Sequence, residues 1–404
     1  MRPHLRLLCL PLAVGATVVA APAAAAAAVR AGVAFNRTGE IATYAEGLAD
    51  QRAAREATVD DPVRVASVSK LVVAVGVMQL VERHKLNLDA DVSRYLGWTL
   101  RNPAFPGRPI TLRMLLSHTG SVREHDDDYV IPLGGSLRDV MADPKNWDTE
   151  HGPGQNYFSY TNLNFPIVAS IMERTTGERF DRWMRRSVLE RMKLDACYNW
   201  ATCSDAQVAR AIELDSPAGA PLKDDLHGQR PACPVATRDG VACDLDSWKA
   251  GQNGALFSPQ GGLRISARGL ARLGRMLLNR GTLDGVRILS PQSVETMLAP
   301  IWRYDGRNGA RDGESTTVCA YGLSSQTIPN RRPGCPDDPG TRGATFVGHA
   351  GDAYGLRSGL WIDRTRGIGI AYFVTAVPED PPEASAFAPD ESAAFRQTYA
   401  LLDR

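Results

Sequence analysis

The sequence carries almost no net charge and has no long apolar run after its first 30 residues. Its 46 basic and 45 acidic residues leave a formal net charge of +1 over 404 residues. This balance argues against nucleic acid as a partner, because phosphate binding needs a basic surface. A membrane-spanning helix needs roughly 20 apolar residues, so we expect no stable membrane span in the mature protein. The hydrophobic fraction of 44% indicates a folded chain rather than a disordered one.

Several motifs that identify enzyme classes are also missing. The sequence contains no G-x-S-x-G, no H-E-x-x-H, no P-loop and no G-x-G-x-x-G that opens a helix. Their absence argues against a nucleophile elbow, a zincin site and the common nucleotide-binding loops. The run His-Asp-Asp-Asp at 125–128 is more typical of a solvated acidic loop than of a metal site. We therefore expect no cofactor and no metal.

The first 28 residues have the composition of a targeting segment. A short basic start at 1–6 precedes an apolar stretch at 7–20 and a run of small residues at 21–28. Regions in this order are typical of a secretory signal peptide, and an uncleaved N-terminal anchor is the alternative. We expect residues 1–28 to be a signal peptide and the mature protein to be periplasmic or secreted.

Cysteine is scarce, but six cysteines follow the predicted signal peptide, at positions Cys197, Cys203, Cys233, Cys243, Cys319 and Cys335. An exported chain enters an oxidising compartment, where cysteines form disulfides. Six cysteines allow 15 pairings, of which the simplest joins sequence neighbours: 197 with 203, 233 with 243, and 319 with 335. No C-x-x-C pair or histidine cluster accompanies them, which argues against a zinc site.

Hydrophobic patterning predicts strands near both ends of the mature chain and helices between them. Short apolar or alternating runs indicate strands at 32–35, 40–44, 346–349, 357–362 and 368–375. Helical spacing indicates helices at 65–84, 111–117, 137–141, 164–174, 179–191, 266–279, 290–298 and 393–402. Strands at both ends with helices between them predict one sheet built from the two ends, with an inserted helical region.

One serine and one lysine stand at a spacing that suits nucleophilic catalysis. Ser67 and Lys70 lie three residues apart at the start of the long apolar helix, so their side chains share one helix face. A serine hydroxyl needs an adjacent base, and a partly buried lysine can serve as one. The chain has only six lysines, and Lys70 alone has serine three positions earlier. The alternative is an ordinary helix start, in which the Ser67 hydroxyl caps the helix.

Other segments follow this pair in an order that resembles a known superfamily. The segments are VASVSK at 65–70, ITLRMLLSHTG at 110–120, Y-T-N at 160–162, SPQGGL at 258–263, YGL at 321–323 and GHAG at 348–351. Together they resemble the penicillin-recognising serine hydrolases, which include class C β-lactamases, D-alanyl-D-alanine carboxypeptidases, D-aminopeptidases and esterases. The resemblance runs from about residue 32 to about residue 375.

This resemblance implies a fold and a division of the chain. The fold is α/β, β-lactamase/transpeptidase-like, with an antiparallel β-sheet flanked by helices and an inserted mainly helical domain. Residues 29–100 and 250–404 form the sheet domain in this prediction, and residues 101–249 form the helical insertion. The active site is expected between the two parts.

The resemblance also implies a role for each catalytic residue. Ser67 is expected to be acylated, and Lys70 to take or hold its proton. Tyr160 is expected to act as a second base that passes the proton to the leaving group. Asn162 is expected to orient Lys70 and the substrate amide through its side-chain amide.

Further residues are expected to bind the substrate. His349 is expected on an edge strand that faces the cleft, with a pH-dependent charge and a hydrogen bond to the catalytic tyrosine hydroxyl. Gly351 precedes Asp352, whose backbone N–H is expected to form an oxyanion hole with that of Ser67. The Asp352 carboxylate departs from the family pattern. It either disfavours acidic substrates or points to solvent. Trp248 is expected in the pocket wall, with ordinary packing as the alternative.

These features predict an exported serine hydrolase that acts through an acyl-serine on a peptide, β-lactam or ester bond of a small molecule or short peptide. An arginine that binds a substrate carboxylate in some relatives after Tyr-Gly-Leu is missing, since 324–326 reads Ser-Ser-Gln. This absence, together with His349 at the usual lysine position, favours a peptidase or esterase. A true class C-like β-lactamase and a non-catalytic recognition module are the alternatives.

Overall fold

The computed structural model describes residues 28–223, 227–310, 318–378 and 386–403. The signal peptide that we predict for residues 1–28 lies outside these ranges, apart from its last residue, and it stays a prediction. Within the described ranges, no helix combines the length and the apolar composition that crossing a bilayer requires.

The secondary structure follows the predicted pattern and adds short strands to it. The strands are β1 (Arg30–Asn36), β2 (Glu40–Glu46), β3 (Leu48–Asp50), β4 (Arg55–Glu56), β5 (Val63–Arg64), β6 (Cys197–Tyr198), β7 (Leu214–Asp215), β8 (Pro221–Lys223), β9 (Leu263–Ile265), β10 (Thr282–Leu283), β11 (Val286–Arg287), β12 (Trp302–Arg303), β13 (Ala320–Tyr321), β14 (Gln326–Ile328), β15 (Phe346–Ala353), β16 (Leu356–Asp363) and β17 (Ile368–Val374). The α-helices are α1 (Val68–Glu82), α2 (Ser93–Leu96), α3 (Leu112–Leu116), α4 (Leu137–Val140), α5 (Asn164–Thr176), α6 (Phe180–Met184), α7 (Asp205–Arg210), α8 (Ala267–Leu278), α9 (Pro291–Leu298) and α10 (Pro389–Ala400).

Both ends of the chain contribute to one antiparallel sheet, as predicted. Its eight strands follow the order β12-β13-β14-β15-β16-β17-β1-β2. The first strand pairs with the last, from Arg30 opposite Val374 to Asn36 opposite Ile368. The α/β class with an antiparallel sheet and flanking helices is therefore confirmed. The division of the chain at residues 100 and 250 stays a prediction.

The position of β15 corrects one expectation. β15 is not an edge strand, because β14 pairs along its outer side from Ile328 opposite Phe346 to Gln326 opposite Gly348. Only the part of β15 beyond Gly348 extends past that pairing. The sequence analysis missed β12, β13 and β14 because strands of two or three residues are too short to show a period of two.

Helices cover both faces of the sheet, and the alternation within β17 shows how. Ile370 and Tyr372 belong to the apolar cluster that includes Phe395 of α10. Ala371 and Phe373 belong to the main core, which includes the buried side of α8. Successive residues of a strand point to opposite faces, so β17 is buried on both sides. The two helices therefore pack on opposite faces of the sheet, against β1, β16 and β17.

Helix α1 lies in the interior, between the sheet and the helical region. All of its residues from Val68 to Leu80 are buried. Gly76 permits this packing, since a Cβ atom there would lie 2.8 Å from Met184 Sδ and 2.9 Å from Trp183 Cζ3. The start of a fully buried helix is a rigid platform for a functional side chain.

Three disulfides join cysteines that are neighbours in the sequence. They link Cys197 with Cys203, Cys233 with Cys243, and Cys319 with Cys335. The spacing of each pair along the chain is short, and each bond closes a local loop. The first of these loops includes Trp200, and the second lies beside the cavity described below.

Candidate active site

Ser67 stands immediately before α1, after a tight turn at Ala66, whose φ is 45°. Its hydroxyl makes no capping hydrogen bond to the helix backbone. Instead the Lys70 ammonium donates to Ser67 Oγ over 2.7 Å. The structure therefore disfavours the ordinary-cap interpretation and places the serine hydroxyl against a potential base.

Lys70 is completely buried and is oriented by three oxygen atoms. Besides Ser67, its Nζ donates to Asn162 Oδ1 over 2.7 Å and to the Gln260 carbonyl over 3.0 Å. An ammonium group has three donors, and each of them finds an acceptor here. All three acceptors are neutral oxygens, so the amine is positioned by hydrogen bonds without a carboxylate among these partners.

Tyr160 and Asn162 lie in the loop that leads into α5, and both face the same amine. Lys70 Nζ is 5.0 Å from the centre of the Tyr160 ring. The His118 ring stacks on Tyr160, with the two ring centres 4.4 Å apart and an interplanar angle of 20°. The structure thus brings Ser67, Lys70, Tyr160 and Asn162 together, although 90 residues separate the first pair from the second.

Glu124 supports this loop, and the sequence analysis missed it. Its Oε2 accepts from the Thr161 hydroxyl and the Leu163 backbone N–H, both over 3.0 Å. Its Oε1 accepts from Asn162 Nδ2 over 3.1 Å. Burial raises the pKa of Glu124 even though these bonds and Lys70 oppose the shift. A single glutamate in a polar stretch carries no periodic or motif signal that could have identified it.

His118 fixes the loop from the opposite side. Its Nδ1 lies 3.1 Å from the backbone nitrogen of Thr161, which donates to it, and 3.1 Å from Asn164 Nδ2. Burial lowers the pKa of His118 well below its usual value, and the charge of Lys70 acts in the same direction. The ring is therefore neutral at neutral pH and accepts hydrogen bonds at Nδ1.

His349 reaches the site from β15 but differs from the expectation in two ways. Burial, followed by the charge of Lys70, lowers the pKa of His349 to about 3, so the expected charge change near neutral pH is wrong. Its Nε2 lies 2.8 Å from the hydroxyl of Tyr321, and its Nδ1 contacts the Ala350 carbonyl. With the proton on Nδ1, Nε2 accepts from Tyr321, a residue that the sequence analysis used only as a landmark.

Gly351 lets β15 approach the turn at Ser67. A Cβ atom at Gly351 would lie 2.4 Å from the Val65 carbonyl oxygen, 2.4 Å from Ser358 Oγ and 3.3 Å from Ser67 N. Any larger residue would push the strand away from the serine. The backbone that carries Asp352 is therefore held next to the backbone nitrogen of Ser67.

The Asp352 carboxylate forms an ion pair with Arg357, which stands opposite it on β16. Its side chain is 51% exposed, whereas the Arg357 side chain is 5% exposed. Of the two alternatives considered for Asp352, this geometry favours a carboxylate that faces solvent and Arg357. The arginine compensates its charge, so Asp352 exerts little repulsion on an anionic substrate.

Trp248 is displaced from the position that we expected. Its indole N–H donates to Glu173 Oε1 over 3.0 Å, behind α5. The cavity next to Ser67 has a volume of about 610 Å³, and its lining includes Trp200 but not Trp248. The pocket assignment of Trp248 is therefore wrong, because the chain after Leu245 packs against buried Glu173 rather than against the cleft.

One group of side chains within the described ranges has the composition of a metal site. Atoms of Asp50, Glu213 and His227 all lie within 4.8 Å of one another. His227 Nδ1 is 2.5 Å from Glu213 Oε1, which is within hydrogen-bond distance. None of the three lines the cavity at Ser67, so this group is separate from the candidate active site.

Comparison with known proteins identifies the family of the chain. The model of the Beta-lactamase family matches residues 16–395. Esterase EstB of Burkholderia gladioli is 31% identical over 163 residues, which are 35% of this chain and 40% of the esterase. The aligned part covers well under two thirds of the curated relatives, from 26% of some to 40% of the esterase.

Solved structures agree with this assignment at the level of the fold. A class C beta lactamase from Rhodobacter sphaeroides has a TM-score of 0.65 at 16% identity, covering 93% of this chain and 94% of that one. The D-amino acid amidase from Ochrobactrum anthropi SV3, complexed with L-phenylalanine amide, has a TM-score of 0.64 at 16% identity and covers 93% of both chains. The chain belongs to the Beta-lactamase family of serine hydrolases.

Proposed function

We propose that the protein is an exported serine hydrolase that forms an acyl-enzyme on Ser67 and transfers the acyl group to water. The observation that carries this proposal is the 2.7 Å contact between Lys70 Nζ and Ser67 Oγ beside an open cavity. A buried amine on a serine hydroxyl supplies both a nucleophile and the group that accepts its proton.

The reactive form of the protein is the one in which Lys70 has lost one proton and is a neutral amine. In the first half of the reaction, Ser67 Oγ attacks the substrate carbonyl carbon while this amine takes the hydroxyl proton. The backbone N–H groups of Ser67 and Asp352 stabilise the resulting oxyanion. Collapse of this intermediate breaks the bond to the leaving group, which receives a proton through Tyr160. The proximity of β15 to the Ser67 nitrogen, which Gly351 permits, supports this oxyanion site.

In the second half, water attacks the acyl carbonyl and gives its proton to the same basic pair. Asn162 holds Lys70 in place throughout, because its Oδ1 accepts from Nζ while Glu124 fixes its amide nitrogen. The released Ser67 oxygen regains a proton from Lys70. The sequence of steps therefore needs only side chains and backbone groups of this chain.

We propose that the substrate bond is an ester or an amide of a small molecule or short peptide. His349 is buried and has a pKa of about 3, so it supplies no positive charge at neutral pH. In class C β-lactamases, the resemblance implies a lysine with a fixed positive charge at the position of His349. Its replacement by a neutral ring disfavours that activity. The relatives named as an esterase and as a D-amino acid amidase support the two substrate classes.

Export is part of the proposal. The composition of residues 1–28 is that of a signal peptide. Three disulfides in the folded part are typical of an oxidising compartment rather than of the cytosol. Mass analysis of the protein recovered from the growth medium or periplasm tests this part, and a chain that retains residues 1–28 in the cytosol would contradict it.

The nucleophile is tested by intact-protein mass after incubation with 4-nitrophenyl hexanoate and, separately, with a penicillin. We expect an acyl adduct on the wild-type chain that maps to Ser67, and no adduct on Ser67→Ala. Ser69→Ala is the matched control, since the Ser69 hydroxyl donates to the Ala66 carbonyl over 2.6 Å and lies in the same helix. Its adduct is expected to persist.

The same incubations separate the alternatives. Rapid loss of the penicillin with turnover at Ser67 would establish a β-lactamase instead of an esterase or amidase. A folded protein that consumes neither compound and forms no adduct would establish the non-catalytic recognition module. Ester turnover with slow or absent lactam turnover is the result that we expect.

A further inference from the structure

Three side chains with metal-binding atoms converge at a place outside the Ser67 cavity. They are Asp50 in β3, Glu213 directly before β7, and His227 after β8. One ligand atom of each lies within 4.8 Å of those of the other two. No spacing motif joins residues so far apart in the chain, so the sequence analysis could not detect this group. The fold alone brings them together.

The main chain holds two of these residues next to each other. The Glu213 N–H donates to the Ala49 carbonyl over 3.4 Å, so the segment before β7 runs beside β3. The Asp50 carboxylate is oriented by the Ala53 N–H, which donates to its Oδ1 over 2.9 Å. A carboxylate has about four acceptor positions on its two oxygens, so this bond leaves room for a metal ion.

The separations of the ligand atoms suit a single small ion. His227 Nδ1 lies 2.5 Å from Glu213 Oε1 and 4.0 Å from Asp50 Oδ1. Two atoms bound to zinc at its usual distances in tetrahedral geometry stand about 3.4 Å apart. The two observed distances bracket this value. Shifts of under about 1 Å would therefore bring the three atoms to a common ion.

Partial burial favours a bound cation at this place. The side chains of Asp50, Glu213 and His227 are 16%, 10% and 27% exposed. Charges held away from bulk water interact more strongly than charges on the surface. Two carboxylates that share a partly buried site repel each other, and a divalent cation bound to both relieves this repulsion. The more exposed histidine leaves a path by which the ion can enter.

A small cavity beside Glu213 offers space for a further ligand. Its volume is about 10 Å³, and its lining includes Gln51 and Asp215 besides Glu213. This volume is close to the minimum that one water molecule needs. An ion held by three side chains could therefore take a water molecule as its fourth ligand, as zinc does in sites with three protein ligands.

We propose that Asp50, Glu213 and His227 form a binding site for a divalent transition-metal ion, with Zn²⁺ as the best fit. Zinc binds imidazole nitrogen together with carboxylate oxygen, whereas Mg²⁺ and Ca²⁺ prefer sites made of oxygen alone. The ion fastens the hairpin of β7 and β8 to β3. His227 lies four residues before Pro231, which lines the Ser67 cavity, so the ion also steadies that part of the cavity wall. It takes no part in the proposed reaction.

The test is a calorimetric titration of ZnCl₂ into the mature, untagged protein, after EDTA has removed bound metals and dialysis has removed the EDTA. We expect one ion per chain with a dissociation constant in the micromolar range or below, and a melting temperature that rises with added zinc. MgCl₂ and CaCl₂ should bind at least about tenfold more weakly. Asp50→Asn, Glu213→Gln and His227→Gln should each weaken zinc binding by at least about tenfold.

His151→Gln is the matched control, because His151 is also a partly exposed histidine beside a carboxylate, with its Nδ1 3.2 Å from Asp148 Oδ2. It should leave the zinc affinity unchanged. No saturable binding at submillimolar zinc, or an affinity that all three variants leave within twofold, would overturn the site. Equal affinity for Mg²⁺ would overturn the assignment of the ion.

Melting temperatures in EDTA show whether each variant is folded. If Glu213→Gln fails to fold, Asp50→Asn and His227→Gln decide the question, since both side chains are more exposed than that of Glu213. The titration measures binding and does not require activity at Ser67. The result therefore stands or falls separately from the proposed function.

Discussion

At one end of the Ser67 cavity the polar side chains bind each other, whereas at the other end cationic side chains face the open volume. Lys70, Asn162 and Glu124 form a chain of hydrogen bonds between 2.7 and 3.1 Å long. Within the described ranges, Arg64 has a 3.5 Å contact with Asn199 Oδ1 and lies against the face of the Tyr354 ring. The first end is thus a closed network of hydrogen bonds, as preorganised groups require, whereas the second end is open to the cavity.

Under the proposed function, this difference separates residues that would act on the reacting bond from residues that would select the substrate. A closed network fixes atoms at the positions that the reaction requires, and the fixed positions cost nothing at the moment of reaction. Charged side chains that line a cavity contribute chiefly to binding and specificity. Substitutions at the two ends should therefore differ in size and in the kinetic constant that they change.

The largest effect is expected at Lys70. Lys70→Met removes the base and the donor that orients Ser67, so kcat/KM for 4-nitrophenyl hexanoate should fall by about 10³-fold or more. Lys85→Met is the matched control, because Lys85 follows the other end of α1 and is exposed. Steady-state ester hydrolysis measures both variants. A loss below tenfold in folded Lys70→Met would show that another group activates the serine.

Glu124 should give the next largest effect, through the position of Asn162. The glutamine in Glu124→Gln has a single acceptor oxygen, so it cannot accept from Thr161, Asn162 and Leu163 as the carboxylate does. We expect kcat to fall by roughly tenfold with little change in KM. Glu150→Gln, an exposed glutamate substitution, is the control and should retain wild-type rates.

The pH profile distinguishes this positioning role from a loss of stability. Because burial raises the pKa of Glu124, the wild-type carboxylate takes a proton at a higher pH than an exposed glutamate does. Protonation removes one acceptor, so kcat should decline on the acidic side. This decline of kcat at acidic pH should be absent from Glu124→Gln. If the variant still shows the decline, a group other than Glu124 titrates there.

The sequence contained the proposed catalytic residues but not the residues that hold them in place. Ser67, Lys70, Tyr160 and Asn162 lie in motifs whose order alone brings them together, and the long apolar helix identifies the element that carries the serine. Glu124 and the Arg64–Arg264 pair depend on contacts between segments that are far apart in the chain, such as the pairing of β5 with β9. The hydrophobic periodicity of one segment does not show which distant segment it pairs with.

The errors of the sequence analysis have the same physical origin. His349 was expected to titrate near neutral pH because an isolated histidine does so. Its 1% exposure and the nearby Lys70, both set by tertiary packing, lower its pKa to about 3. Trp248 was placed in the pocket by its distance along the chain, whereas burial of Glu173 decides its orientation.

The third prediction concerns the pH dependence of stability, through the buried carboxyl group of Glu391 in α10. Burial raises the pKa of Glu391 to about 8, although nearby Arg357 opposes the shift. The folded protein therefore keeps this proton up to about pH 8, whereas the unfolded chain loses it near 4.5. Stability contributed by the bound proton is present at low pH and lost as the pH rises to about 8.

The useful window for this test lies above pH 6.5. Below pH 6.5, His118 and His349 make stability rise with pH and so oppose the effect of Glu391. Their pKa values are lowered in the folded protein, whereas the unfolded chain protonates its histidines near 6.5. Between pH 6.5 and 8.5, the free energy of unfolding should fall by up to about 2 kcal/mol. Glu391→Gln should flatten this slope in urea titrations, and exposed Glu56→Gln should not. An unchanged slope in Glu391→Gln would show that Glu391 is ionised in the folded protein.

The smallest effect on activity is expected at Trp248, and it separates the two tryptophans near the site. Trp248→Phe loses the 3.0 Å bond to Glu173 Oε1 but touches no wall of the cavity, so kcat/KM for 4-nitrophenyl hexanoate should stay within about twofold. The free energy of unfolding should fall by about 1–3 kcal/mol, because a buried carboxylate loses a donor. Trp200 does line the cavity, and Arg264 lies 4.1 Å from its ring centre. Trp200→Phe should therefore lower kcat/KM for 4-nitrophenyl hexanoate more than Trp248→Phe does, and equal losses would show that the Trp200 side of the cavity does not contact the substrate.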